Sequence, residues 1–224
     1  MEYEICCNSI QSAINAQKGG AVRIELCHDL EGGGTTPSAG AIEYCVHQLG
    51  LQTRVLIRPR RGDFCYSEAE YEVIKRDVEM CRSLGAHAVV VGFLTADGKI
   101  DEAKTREIVR LAEGMEVTFH RAFDELHPSE AAAALETIID CGCHKLLTSG
   151  CFPTAMEGVQ VIRQLVEQAD GRIGIIAASG VTPSTIGTIV AQTGVKEAHG
   201  SCKTTRNGVI VTDVALVKEL VSHK

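Results

Sequence analysis

The chain contains no tryptophan, and Phe and Tyr bring its aromatic content to only 4% of 224 residues. It therefore has few of the flat side chains on which single-stranded nucleic acid stacks. A basic excess is also missing: 22 Lys and Arg face 29 Asp and Glu, a net charge of −7. That balance argues against a phosphate-backbone binder, so no nucleic-acid partner is expected. No apolar run approaches the roughly 18 residues of a membrane helix. Residues 1–7 carry no basic segment followed by an apolar one, so neither a membrane partner nor a secretory signal is expected. With 5 prolines and no Pro/Gly/Ser-rich linker, the composition points to one domain over residues 1–224.

The 10 cysteines contain no CxxC pair, the usual spacing of a zinc or thioredoxin-like site. A chain of this length does not need disulfide staples, and without export its thiols stay reduced. Most are expected to be small buried hydrophobes, Cys45 and Cys81 within helices in particular.

Short β-branched runs alternate with longer amphipathic ones. Strands are expected over 4–7, 23–27, 54–58, 88–93, 116–121, 145–148, 172–177 and 195–199, several nearly continuous in hydrophobicity, as parallel strands covered by helices are. Helical signals fall between them. Ser67 and Glu70 form a capping box ahead of Tyr71, Ile74, Val78 and Cys81. Thr182-Pro183 reads as an N-cap followed by Pro at the first helical position, and Ser129 opens an Ala-rich helix. A last helix spans 213–221. Eight strand–helix units in this length give an α/β fold, a single (β/α)8 TIM barrel. The rival, an open doubly wound sheet, lacks its Gly-rich fingerprint after the first strand.

In such a barrel the carboxyl ends of the strands surround the working face. Side chains alternate along a strand, which sends Glu4 and Cys6 inward together, then Glu25 and Cys27, Arg58, Thr118 and His120, and Glu197 and His199. Glu4, Glu25, Arg58, His120 and His199 thus meet in one lumen. Burying that many charges is costly unless they are paired. One reading is an ion-pair network of Glu4, Glu25 and Arg58 that only fills the barrel; the other is a small-molecule site with proton chemistry. For the second, Arg58 and Arg60 serve as anion clamps, His120 as general acid or base with Asp124 as its orienter, and Glu25 as the second proton-transfer group. His199 and His120 fit with inverted roles equally well. Ser149, Gly180 and Ser201 stand in loops after the last three strands, where many barrels hold a phosphate.

Ordered motifs across nearly the whole chain resemble the CutC family of copper homeostasis proteins. They include Glu4-Ile-Cys6-Cys-Asn-Ser9, Arg23-Ile-Glu25-Leu-Cys27, Glu31-Gly-Gly-Gly-Thr-Thr-Pro37, Ile57-Arg-Pro-Arg60, Thr118-Phe-His-Arg-Ala-Phe-Asp124, Leu147-Thr-Ser-Gly150 and His199-Gly-Ser201. The resemblance implies a (β/α)8 barrel, a cytoplasmic location, a homodimer or larger homo-oligomer, and a role with copper. It places copper ligands on Cys6 and Cys27, thiols soft enough for Cu(I). The sequence departs from the family pattern at Asn8, where Asp is usual, at Arg61, and at Ala177-Ala178-Ser179-Gly180, which replaces a Gly-rich run and weakens a phosphate cradle there. Three functions stay open: Cu(I) binding, a lyase or isomerase acting on a small anionic metabolite, and a module that recruits a partner chain.

Overall fold

In the computed structural model, which describes residues 1–223, eight parallel strands close on themselves. They are β1 (Glu2–Cys7), β2 (Arg23–Leu26), β3 (Gln52–Leu56), β4 (Ala88–Val91), β5 (Glu116–Phe119), β6 (Lys145–Thr148), β7 (Gly174–Ala177) and β8 (Glu197–Gly200), paired in chain order with β1 closing on β8. Helices α1 (Ile10–Lys18), α2 (Ala39–His47), α3 (Glu68–Ser83), α4 (Glu102–Leu111), α5 (Ala131–Asp140), α6 (Val159–Ala169), α7 (Ile186–Thr193) and α8 (Val214–Ser222) alternate with the strands. This is the expected (β/α)8 barrel, with strand ends displaced from the expected ones by at most two residues.

The period of two along each strand sorts the barrel into two layers. Ile5, Ile24, Val55, Val89, Val117 and Phe119 point outward into one continuous core beneath the helices. Inward, apolar contact is confined to two patches, one of Cys6, Cys27, Leu56 and Val90, the other of Leu147, Ile176 and Ala178. Apart from Ala88, the rest of the lumen is chiefly polar. At its amino-terminal floor Arg23 pairs with Glu4 (3.2 Å), Glu197 (2.7 Å) and Glu2 (2.9 Å). Arg54 pairs with Glu4 (3.1 Å) and Glu116 (2.5 Å), and Lys145 with Glu197 (2.5 Å). An internal ion network therefore exists, but Glu25 and Arg58 are not in it.

Local signals act as the sequence suggests at α3, where the Ser67–Glu70 capping box is formed, and at α8, where Asp213 accepts from Ala215 and Leu216. Thr182-Pro183 does not start a helix directly. Thr185 Oγ1 accepts from Thr182 N (2.9 Å) and donates to Gly180 O (2.8 Å), so Pro183–Thr185 forms a turn and α7 begins at Ile186. An unforeseen hairpin, β9 (Lys203–Arg206) and β10 (Val209–Thr212), turns at Asn207-Gly208, both with positive φ as a tight turn of this type requires. Asn8 Nδ2 donates to Ile210 O (3.2 Å) and Asn15 Nδ2 to Thr212 O (2.8 Å), stitching the hairpin onto α1 and the loop ahead of it. An Asp at position 8 has no donor to make the first of these bonds.

Candidate functional site at the carboxyl end of the barrel

A cavity of about 790 Å³ opens where the strands end, lined among others by Cys6, Glu25, Arg58, His120, Gly180, His199 and Ser201. Residues spread over the whole sequence thus share one mouth. Neighbouring strands bring their centre together: Cys6 lies in register with Glu25 across β1 and β2, and Glu4 with His199 across β1 and β8. One ligand atom each from Cys6, Glu25 and His199 lies within 4.8 Å of the others. Cys27, one residue past β2, places its Sγ 3.8 Å from that of Cys6, and both thiols are buried.

Charge is arranged in a chain from floor to mouth. His199 Nδ1 is 2.8 Å from Glu4 Oε1. Burial alone would raise the Glu4 carboxyl, but the hydrogen bond and charge of His199, with Arg23 and Arg54, outweigh it and hold the group ionised below its usual range. For His199 burial works against the charged form, yet Glu25, Cys6 and Glu4 together raise it well above an ordinary imidazole. Glu25 is pushed up to about 7, chiefly by burial and also by Glu4, against the pull of His199 and Arg54. Its hydrogen bond with Cys27, then burial, raises the Cys6 thiol far above the ordinary range.

His120 stands across the cavity in a different state. Its Nδ1 accepts from Ala122 N (3.1 Å), so the ring proton sits on Nε2, which has no partner. Burial first, then the charges of Arg58 and Arg121, drive it down to about 3, so it is a neutral donor and not a titrating acid or base near pH 7. Phe64 lies against it with ring centroids 4.9 Å apart. Room for the ring depends on Gly92, where a Cβ would run into the His120 imidazole and the Ala122 methyl.

Other candidates fall elsewhere. Asp124 does not orient His120; it accepts from Thr148 Oγ1 (2.5 Å), Ser149 N (3.0 Å) and Cys151 N (3.1 Å) and pairs with Arg121 (2.8 Å), joining the loops after β5 and β6. Ser149 belongs to that same knot, fully buried. Arg60 lies outside the cavity lining, held by Glu70 (2.5 Å), Asp63 (3.0 Å) and the Tyr66 ring, so its fork is already engaged. Ser179 and Gly180 both adopt positive φ, 69° and 70°. The loop after β7 thus keeps left-handed backbone despite a serine, whose Oγ is tied to Pro153 O (2.7 Å). Arg23 and Arg54, absent from the expected lumen, are its principal cations. They share inward parity with Glu25 and Arg58, and that signal was available in the sequence.

The CutC family profile matches residues 1–204, which leaves the second half of β9 and all of β10 and α8 beyond the matched region. The chain is 48% identical over 200 residues to a CutC family protein of Chromobacterium violaceum, covering 89% of this chain and 80% of that one. A human copper homeostasis protein cutC homolog is 43% identical over 204 residues, 91% of this chain and 74% of the relative. Among solved structures, the CutC protein of Streptococcus agalactiae superposes with a TM-score of 0.85 at 32% identity, covering 90% of this chain and 98% of that one.

Proposed function

This chain belongs to the CutC family, whose relatives include copper homeostasis proteins, and we propose from that premise that it binds Cu(I) at the barrel mouth through Cys6 and Cys27, with His199 as third donor. The observation that carries this reading is the buried pair of sulfur atoms 3.8 Å apart. Thiolates are the soft donors that suit Cu(I). With metal–sulfur bonds of about 2.3 Å, as zinc makes, a linear S–M–S unit spans about 4.6 Å and a trigonal one about 4.0 Å. The observed separation favours the trigonal arrangement, which needs a third ligand. His199 lies beside Cys6 with its Nδ1 on Glu4, the carboxylate–histidine pairing that orients imidazole ligands. Glu25 is a hard donor, poorly suited to Cu(I), and serves better as a proton acceptor when the Cys6 thiol gives way to thiolate.

The test is anaerobic Cu(I) titration against a competing chelator. Cys6→Ser and Cys27→Ser should each weaken binding at least about a hundredfold, and wild-type affinity in both would overturn the reading. A second reading, a lyase or isomerase acting on a small anionic metabolite, is supported by Glu25, held near neutrality beside His199. It requires turnover that Glu25→Gln abolishes while Cu(I) affinity stays intact.

A further inference from the structure

Arg58 is a buried cation without a counter-ion. The residue is 6% exposed. Nη1 donates to the carbonyls of Gly32 (3.3 Å) and Gly34 (3.1 Å), Nη2 donates to that of Gly62 (2.6 Å), and Nε has no partner. All three acceptors are neutral, and among the described residues no carboxylate lies within ion-pair reach. The Phe64 ring, 4.9 Å below, offsets part of the charge. Arg23 and Arg54, equally buried, each meet two or more carboxylates. An unpaired buried charge is the costly case, so Arg58 points to an anion supplied from outside the chain.

The surroundings agree. Besides Arg58, the cavity lining holds Lys203 and Arg121, the latter paired with Asp124 (2.8 Å), against Glu25 and Glu125. Lys203 is exposed and, among the described residues, has no carboxylate partner either. His120 adds a second partnerless buried donor, Nε2. A cavity of about 790 Å³ is oversized for an ion, which needs roughly the 30 Å³ of one water, and falls within the range of about 300–1,000 Å³ that takes organic ligands. Cys6 lines this same cavity.

We propose that copper reaches the protein as its complex with a small carboxylate-bearing thiol, the carboxylate pairing with Arg58 beneath the Gly32–Gly34 loop while the sulfur-bound metal meets Cys6. The proposal rests on the dithiol reading above. Loading is then ligand exchange without redox change. The two bonds from copper to the small-molecule thiolates break, and bonds to Cys6, Cys27 and His199 Nε2 form. The Cys27 proton and, relayed through Glu25, the Cys6 proton leave on the departing thiolates, while the His199 Nε2 proton is released to solvent.

The experiment compares the rate of anaerobic loading from Cu(I)–glutathione, which carries carboxylates, with that from Cu(I)–2-mercaptoethanol, which carries none. Low-salt loading should be about tenfold faster from the glutathione complex, an advantage that fades with added salt. Lys203→Glu should remove most of that advantage while Cu(I) affinity against a chelator stays at the wild-type value. S-methylglutathione, which cannot pass on copper through a thiolate, should slow loading from the glutathione complex and shift the amide resonances of residues 32–34 in metal-free protein. Equal loading from both complexes, or no effect of S-methylglutathione, overturns the proposal. Should Cys6→Ser and Cys27→Ser retain full Cu(I) affinity, the dithiol reading fails, and S-methylglutathione binding still reports on the anion site by itself.

Discussion

Replacing Glu4 by Gln removes the carboxylate on which the polar floor of the barrel converges. Its side chain is 1% exposed and faces His199 at 2.8 Å, Arg54 at 3.1 Å and Arg23 at 3.2 Å. Deleting one partner of a buried ion pair typically costs about 3–5 kcal/mol, because the remaining charge keeps its desolvation penalty. Here Arg23 retains Glu197 and Glu2, and Arg54 retains Glu116, so the lower end, about 3 kcal/mol, is expected. With a urea slope of about 2 kcal/mol per molar, the midpoint should fall by about 1.5 M. Melting should drop by about 6–12 °C for a chain of this size. Glu2→Gln is the internal control: it touches the same Arg23, but its side chain is 71% exposed, and exposed pairs contribute about 0–1 kcal/mol. A Glu4→Gln loss below 1 kcal/mol, or equal losses for the two variants, would refute the assignment of Glu4 as the buried hub.

The remaining expectations concern the opposite wall of the mouth. His120 is held at about 3 in the folded state against 6.5 ordinarily, so between these values the unfolded chain binds a proton that the folded chain does not. Its contribution to stability is therefore intact above about pH 6.5 and is lost on acidification, at up to about 1.4 kcal/mol per pH unit. Denaturation of His120→Asn between pH 4 and 7 should show a shallower acid limb than wild type; an unchanged slope would count against a buried neutral imidazole. At Gly92 the added methyl of Gly92→Ala meets the His120 ring. Overpacking of this kind costs about 1–3 kcal/mol, so the variant should melt lower and displace the His120 ring resonances. A Gly92→Ala protein with wild-type melting and spectrum would contradict that contact.

Much of the site was legible because strand parity is a strict rule. Glu4, Cys6, Glu25, Arg58, His120 and His199 all point into the barrel because the apolar residues beside them, such as Ile5, Ile24, Ile57 and Phe119, have to face the helices. The same rule applied to the beginnings of the strands yields Arg23 and Arg54. Attention to strand ends alone leaves them out, and with them the reason Glu4 belongs to the floor. Loop residues escaped for a different reason. Arg60 and Asp124 have the chemistry of an anion clamp and an imidazole orienter, yet nearby Glu70 and Asp63, and Ser149 and Cys151, occupy their polar atoms. No periodicity reports which neighbour a loop side chain will find. The hairpin was readable from Asn207-Gly208, a local signal overshadowed by the strand–helix rhythm around it.

The dithiol centre is tested most directly by X-ray absorption at the copper edge on anaerobically loaded protein. Two sulfur donors and one nitrogen donor in a three-coordinate site are expected, with one sulfur lost in Cys6→Ser and the nitrogen lost in His199→Ala. A site with no sulfur donors, or one unchanged in Cys6→Ser, would contradict the placement of copper between Cys6 and Cys27.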